Sequence, residues 1–280
     1  MTPQHKNPVV SIEEEAYQLS QSQIPYKAYF FGPFRITLDE QALGEPAWRR
    51  NKAKALLKWF LLNPGDLFSV EQLCNLLWPD IIRKVAVSNL HVTMHYLRRI
   101  LEPKLASGCP SIFIRRNQHN YYWFELNDVW WTDVFDIQHL STVAREAERK
   151  GDLSRTIAFY DQLMAYYKQG FLPDDIYDDA FLPYRRQHNY AYTQSLSHLM
   201  QLYIHINQYD DALSCALHLL SLDAYNESAV KVMVQIHLRQ GNTTSAIRRI
   251  DDYRRTLKQD LGIEPGEEIL DLRIEILKTR

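Results

Sequence analysis

Residues Lys84 to Glu102 read KVAVSNLHVTMHYLRRILE, and their pattern predicts one long amphipathic helix. One side of this helix is apolar. The opposite side is polar and can hydrogen-bond or stack on nucleic-acid bases and phosphates. Such a pattern also suits an ordinary surface helix with a solvated polar face. The neighbouring segments decide between the two interpretations. Apolar residues recur at steps of three and four, so their side of the helix is expected in the core. These residues are Val87, Leu90, Met94, Leu97 and Leu101.

The charge of the chain is unevenly distributed, although its net value is only −2. Between Trp48 and Arg116 there are twelve lysines and arginines against four aspartates and glutamates. Residues 117–280 instead hold seventeen basic and twenty-four acidic side chains. A basic block inside a slightly acidic chain is typical of a nucleic-acid-binding module joined to a second, non-binding domain. A basic face that only meets solvent is the alternative.

Two short strands and two helices are predicted upstream of Lys84. Residues 27–39 alternate large apolar and polar side chains around Gly32-Pro33, which predicts a short antiparallel ribbon. A second helix is expected after Ser69, because Ser69 and Gln72 have the spacing of a capping box. The first helix is predicted between the ribbon and this second helix, and it ends at Asn63-Pro64-Gly65. Its one apolar face is formed by Ala53, Leu56, Leu57, Phe60 and Leu61.

A β-hairpin is predicted after the Lys84 helix. Residues 112–114 and 121–126 are rich in β-forming side chains and flank a polar tip, RRNQHN, at 115–120. Strands, three helices and a closing hairpin make a winged helix-turn-helix. In this motif the third helix enters the major groove and the hairpin is the wing.

Beyond Trp130 the sequence predicts helices with almost no β signal. Helices are expected over 133–150, 153–167 and 185–206, the last after Pro183. Two later segments align at a spacing of 34 residues, with Ala212 over Ala246, and the segment from Gly151 is an offset copy. This period indicates tetratricopeptide-type repeats, whose stacked pairs leave a surface for proteins or peptides. The turn 261–266 ends the array, and a last helix is expected over 267–277.

The order of these parts, from about Lys27 to Leu277, resembles the SARP and BTAD class of bacterial regulators. The likeness is carried by FGPFRI at 31–36, LWPD at 77–80, AVSNLHVTMHYLRRIL at 86–101 and LKQDLGIEPGEEILDL at 257–272. DDAFLPYRRQ, Asp178 to Gln187, is similar to the acidic-aromatic segment that these domains carry before their longer helices. The resemblance implies a fold that is mainly α with small β, in which an OmpR-type winged helix precedes a bacterial transcriptional activator domain of tetratricopeptide-like helices.

The expected organisation follows from this likeness and from the pattern of the chain. We expect a flexible N-terminal segment over 1–24, where Ser11 could cap a short helix, a winged-helix DNA-binding domain over 25–128, and the all-α domain over 129–280. The resemblance implies a sequence-specific transcription factor, an activator that binds direct repeats near promoters and contacts RNA polymerase. Its partners would be double-stranded DNA, RNA polymerase or another protein, and a second copy on DNA.

The candidate contact residues fall into two groups. Carried onto the third helix, the resemblance implies base contacts by Asn89, His91, Val92, His95 and Tyr96, with Arg98 and Arg99 near phosphates. The basic start of the first helix and the wing supply the remaining phosphate candidates, Arg49, Arg50, Lys52, Arg115, Arg116, Asn117 and His119. The family's wing usually carries Gly before an aromatic residue, whereas this chain has Asn120 before Tyr121. Asparagine tolerates a left-handed turn, so we expect the wing to form.

Other classes of function find little support in the sequence. His91 and His95 have metal-ligand spacing, but no third ligand stands at a matching position, so we expect no metal site. Neither a phosphate-binding G-x-x-x-x-G-K-[ST] motif nor a nucleophile motif occurs, so we expect neither a cofactor nor an enzyme. The three cysteines suit no disulfide framework, and we expect a soluble, cytoplasmic, nucleoid-associated protein without membrane contact. The alternatives are a tetratricopeptide-type adaptor without DNA binding, and a regulator tuned by a small ligand at the domain junction.

Overall fold

The computed structural model describes residues 24–43, 51–106, 108–176 and 178–278. Arg49 and Arg50, the Ser11 cap and almost all of the predicted segment 1–24 lie outside these ranges. Two compact units follow one another, and the division falls between Asp133 and Val134. The predicted domain boundary after residue 128 stays a prediction.

A four-stranded sheet opens the first unit. Strands β1 (Tyr26–Tyr29) and β2 (Arg35–Leu38) pair antiparallel, which confirms the predicted ribbon. β3 (Gln41–Ala42) extends β2, and β7 (Trp130–Thr132) pairs parallel with β1. Strand β7 was not predicted from the sequence, because its pairing partner is distant in the sequence and leaves no local pattern.

The residue after β7 fixes the sheet to the chain that follows β1. Asp133 is buried, and its carboxylate accepts the backbone N–H of Phe30 at 2.8 Å and that of Phe31 at 2.9 Å. A carboxylate that accepts several N–H bonds is well compensated for its burial. Asp133 thereby connects segments that lie about a hundred residues apart, which no local sequence signal predicts.

Three helices pack beside this sheet, and their bounds agree with the predicted ones. The helices are α1 (Asn51–Leu62), α2 (Val70–Leu77) and α3 (Arg83–Leu101). The predicted capping box is confirmed, since Ser69 Oγ accepts the Gln72 N–H at 3.2 Å and Gln72 Oε1 accepts the Ser69 N–H at 2.8 Å. All five predicted core residues of α1 are buried. In α3, Val87 is only half-buried, and Ala86 and Thr93 join the buried face instead.

The wing is a three-stranded sheet with the order β4-β6-β5. β4 (Phe68–Ser69) and β5 (Ile114–Arg116) flank β6 (Tyr121–Phe124), and all pairs are antiparallel. The hairpin is confirmed, but its first strand begins where the predicted arm ended. The Glu102 carboxylate accepts the Ser111 hydroxyl and the Ile112 N–H, the latter at 2.8 Å, so strand pairing starts later and the tip shortens.

The second unit is built mainly from helices over its described residues. Helix α6 begins three residues earlier than predicted, because Pro183 fits the first turn of a helix, where its missing N–H is not needed. The other predicted helices are confirmed within one residue at each end. The full set is α4 (Asp133–Arg149), α5 (Leu153–Tyr167), α6 (Leu182–His205), α7 (Tyr209–Leu222), α8 (Glu227–Arg239), α9 (Thr243–Asp260) and α10 (Glu267–Lys278).

The predicted repeat is seen as a similar turn between helices that occurs at three places in the chain. Gly151, Asn207 and Gly241 have positive φ angles of 75°, 60° and 72°, and each stands two residues before the next helix. The fourth residue of each following helix, Thr156, Ala212 or Ala246, is fully buried. A left-handed residue of this kind ends one helix and redirects the chain into the next, so the three joints are structurally equivalent.

The C-terminal turn closes the helical array. Glu264 accepts hydrogen bonds from Arg254 Nε at 2.5 Å and from Lys258 Nζ at 3.2 Å, and these bonds lower the pKa of its carboxyl to about 2. The Gly266 N–H donates to Glu227 Oε2 at 3.0 Å, and a Cβ on Gly266 would lie only 2.5 Å from the other oxygen of that carboxylate. A side chain at 266 would therefore displace the Glu227 carboxylate from this turn. The predicted last helix, α10, packs on α9 through Ile269 and Ile276.

Candidate nucleic-acid interface

Helix α3 has one exposed face that runs along its whole length. Exposed side chains recur at steps of three and four, opposite the buried Leu90, Met94 and Leu97. The α3 face, as we call it below, consists of Lys84, Val85, Ser88, His91, Val92, His95 and Arg99. Its imidazole, hydroxyl and cationic groups are those that bind base edges and phosphates.

The five predicted base-contact residues do not lie together. His91, Val92 and His95 belong to the α3 face. Asn89 and Tyr96 are half-buried at its margin, and Tyr96 has an interaction within the protein. Three of the five candidates are therefore exposed on one face of the helix, and the roles of all five stay predictions.

Sequence reasoning left three members of the α3 face unassigned. Lys84, Val85 and Ser88 are exposed and align with His91, His95 and Arg99 along the helix. The signal that could have found them is the helical step itself, since positions 84, 88, 91, 95 and 99 are separated by three or four residues. The N-terminal part of a recognition helix is the part that contacts base edges, so these residues extend the candidate site.

The two arginines at the end of α3 have different surroundings. Arg99 is exposed on the α3 face. Arg98 is half-buried, and its Nη2 donates a hydrogen bond of 3.0 Å to the Ile114 carbonyl in strand β5. Arg98 thus joins α3 to the wing, and its guanidinium is less available for the phosphate contact that was predicted for it.

The wing tip is built around Asn117. Its side-chain oxygen accepts the N–H of His119 and that of Tyr121, both at 3.0 Å, and Asn120 adopts a positive φ of 63°. This is the left-handed turn expected for Asn120 in place of glycine. Asn117 therefore shapes the tip through its own backbone neighbours, while the His119 side chain is exposed.

Arg115 and Arg116 project to opposite sides of the hairpin, because successive side chains of a strand alternate. Arg116 pairs across the strands with the buried Tyr122, lies over its ring at 5.4 Å, and donates to the Asn120 side chain. Arg115 pairs with Trp123 on the other side. The two arginines therefore project from opposite faces of the hairpin, and the phosphate contacts predicted for them stay predictions.

The start of α1 is described only from Asn51 onward. Lys52 is exposed in the first turn, as the phosphate contact predicted for it requires. Arg49 and Arg50 lie outside the described residues, so their predicted contacts stay predictions.

In the described ranges, no group of three or more His, Cys, Asp or Glu side chains could hold a metal ion, and this includes the surroundings of His91 and His95. The three cysteines are free, and Cys109 is the exposed one. Within the same ranges, no helix has the length and apolar character needed to cross a bilayer.

Two family models match the chain. One, described as "Bacterial transcriptional activator domain", matches residues 132–277, and the other, "Transcriptional regulatory protein, C terminal", matches residues 44–115. The second match contains α1, α2 and α3, and the first contains α4 to α9 entirely. No curated protein sequence matches the chain significantly.

A solved structure shows the same fold. EmbR of Mycobacterium tuberculosis, in complex with a low affinity phosphopeptide, matches with a TM-score of 0.74 and 18% identity over 91% of this chain. This chain spans 66% of the length of that EmbR chain. The TPR2B domain of yeast Sti1, in its pHsp70 complex, matches 52% of this chain and 99% of its own, with 12% identity and a TM-score of 0.35 that is too low to carry a conclusion.

Proposed function

Because this chain belongs to the SARP and BTAD class of DNA-binding transcriptional regulators, we propose that it activates transcription by binding direct repeats near promoters through the α3 face and the wing. The members of this class are regulators and not enzymes. The proposal adds to that class membership the kind of site on DNA, the residues that read it and the protein partner.

The observation that carries the proposal is the α3 face. It presents His91, His95 and Arg99 along a helix of 19 residues whose opposite side is buried. A helix of 19 residues is about 28 Å long and about 10 Å wide, and a major groove about 12 Å wide admits it. Arg116 on the wing and Lys52 on α1 add positive charge that suits contacts to the phosphate backbone.

The second unit supports the proposed partner contact. Its repeated joints and stacked helices are the architecture that offers extended surfaces to proteins. We propose RNA polymerase as that partner, and a second copy of the chain on the neighbouring repeat, since direct repeats place two copies side by side. Co-sedimentation of the full chain with RNA polymerase on promoter DNA tests the first idea, and complexes that contain one copy per repeat test the second.

DNA binding itself is tested by titrating genomic fragments with the full chain at two salt concentrations. Neutralising about six phosphates predicts a slope of roughly −5 when the logarithm of affinity is plotted against that of salt. Absence of any salt-sensitive binding would overturn the proposal and favour the adaptor that keeps the fold without DNA binding.

The two kinds of contact are separated by two variants. His91→Ala should lower affinity for the preferred sequence about tenfold and leave binding to random DNA unchanged, since base contacts discriminate by about 1–3 kcal/mol. Arg116→Ala should weaken binding to both kinds of DNA alike and make the salt slope shallower by about one. Arg255→Ala, an exposed arginine of α9 in the second unit, is the matched control. Equal behaviour of the first two variants on both DNAs would contradict these roles.

A further inference from the structure

Two valines stand in the α3 face among its polar and cationic side chains. Val85 is 48% exposed and Val92 is 46% exposed, although both belong to a helix with a well-packed buried side. The residues are seven apart, which is almost two full turns, so they lie on the same side of α3. Ile82, one turn before Val85 at the start of the helix, is 78% exposed.

A single exposed apolar residue needs no explanation, but this arrangement differs from random scatter. Lys84, His91 and Arg99 are exposed on the same face, along one side of the valines, so the apolar stripe lies next to groups that favour a polyanion. An apolar surface next to cations complements the major groove, where the C5-methyl groups of thymine are the apolar features among hydrogen-bonding base edges. DNA is therefore the occupant that the charge on this face selects.

We infer that Val85 and Val92 determine sequence specificity by contacting thymine methyl groups in the major groove. This inference rests on the proposed function, since it names the bases that the α3 face prefers. Val92 was a base-contact candidate from the sequence, whereas Val85 was not. The chemical reason is that a valine side chain has no hydrogen-bonding group. It can therefore favour one base only by an apolar contact with the C5-methyl group of thymine.

The spacing of the valines fixes the spacing of the thymines. Seven residues of α-helix advance about 10 Å along the axis. Base pairs in DNA are stacked about 3.4 Å apart, so a helix that lies along the groove would place the two valines about three base-pair steps apart. His91, next to Val92, and Ser88, one turn after Val85, would face the bases between the two thymines.

The test uses the full chain and duplexes that it selects from a randomised DNA library. Each thymine of the selected sequence is then replaced singly by deoxyuridine, which pairs identically but lacks the methyl group, and affinity is measured by fluorescence anisotropy. Two replacements, about three base pairs apart, should each lower affinity about fourfold, the value expected for one buried methyl-sized group.

Variants assign each methyl group to its valine. In Val92→Ala, one of the two deoxyuridine replacements should lose its effect, and in Val85→Ala the other should. Leu217→Ala, which shortens an equally exposed apolar residue of α7, should keep both effects. If deoxyuridine is tolerated everywhere, or costs the same in the wild type and in both valine variants, the inference is wrong while the proposed function stands. If the library yields no enriched sequence, the proposed function itself fails and the inference falls with it.

Discussion

The two units of this chain are held together in different ways. In the first unit, single side chains connect segments that are far apart in the sequence. Asp133 binds the backbone after β1, 103 residues away, and the Tyr26 hydroxyl donates to the Leu101 carbonyl at 2.6 Å, 75 residues away. In the second unit, neighbouring helices are joined by one local turn that occurs three times, and the Tyr203 hydroxyl donates to Asp161 across 42 residues. The first unit therefore depends more than the second on contacts between distant segments.

The N-terminus of α3 differs from those of several other helices. Ser69, Asp152 and Asn242 cap α2, α5 and α9 with their side chains, and their oxygens accept N–H groups of the first turn. The residue before α3, Ile82, makes no side-chain cap bond, and Arg83 and Lys84 stand in the first turn of this helix. Positive charge at a helix N-terminus opposes the helix dipole. The start of α3 thus lacks features that stabilise a helix and instead carries groups suited to DNA. This is the part of the chain that we propose recognises bases.

The largest expected effect would break the distant contacts of the first unit. Asp133→Ala removes a buried carboxylate that accepts the N–H groups of Phe30 and Phe31, which should destabilise this unit by about 4 kcal/mol. Hydrogen exchange followed by mass spectrometry should show faster exchange in β1 and β7 and unchanged exchange in α8 and α9. Asp128→Ala, at an exposed position, is the control. Equal loss of protection in both units would contradict the comparison.

A smaller effect is expected in the second unit from His188. Its ring stacks on Phe171 at 4.4 Å between centroids, and burial lowers its pKa from about 6.5 to about 4. The folded chain keeps this imidazole neutral, while the unfolded chain binds a proton below pH 6.5. The contribution of His188 to the free energy of unfolding is therefore fully present above pH 6.5. It falls by about 2 kcal/mol as the pH drops to 4, a value already reduced for the partial exposure of the ring.

This pH dependence is measured by urea unfolding of the wild type and His188→Gln between pH 4 and 7. The variant should lose the part of the dependence that belongs to His188. His205→Gln, an exposed histidine on the same helix α6, should behave as the wild type does. If the wild type and His188→Gln gave parallel curves, this buried ring would not be the source.

The smallest effect concerns the wing tip, where a local turn resembles those of the second unit. Asn120 has a φ of 63°, so Asn120→Ala should cost about 1 kcal/mol and Asn120→Gly should not incur that backbone cost. Both variants lose the hydrogen bond from Arg116, so the difference between them isolates the backbone. Urea unfolding measures that difference, and equal stabilities of the two variants would show that the tip does not require a left-handed residue.

Sequence patterns predicted the features that depend on near neighbours. The Ser69–Gln72 capping box needs only two side chains one turn apart, and the apolar face of α1 needs only the helical period. The 34-residue spacing of Ala212 and Ala246 indicated the repeat, because both residues occupy the same place after the same turn. Each of these signals lies within one or two helices, where the amino-acid sequence alone restricts the backbone.

The sequence by itself thus determined that Lys84 to Glu102 forms an amphipathic helix and which of its sides is polar. Only the tertiary structure decided which polar residues are presented. Asn89 and Tyr96 are half-buried, Arg98 is held by β5, and Val85 is exposed, because the neighbouring elements cover different parts of one helix. The parallel pairing of β7 with β1 was decided in the same way, since contacts between distant segments arise from packing and leave no period in the sequence.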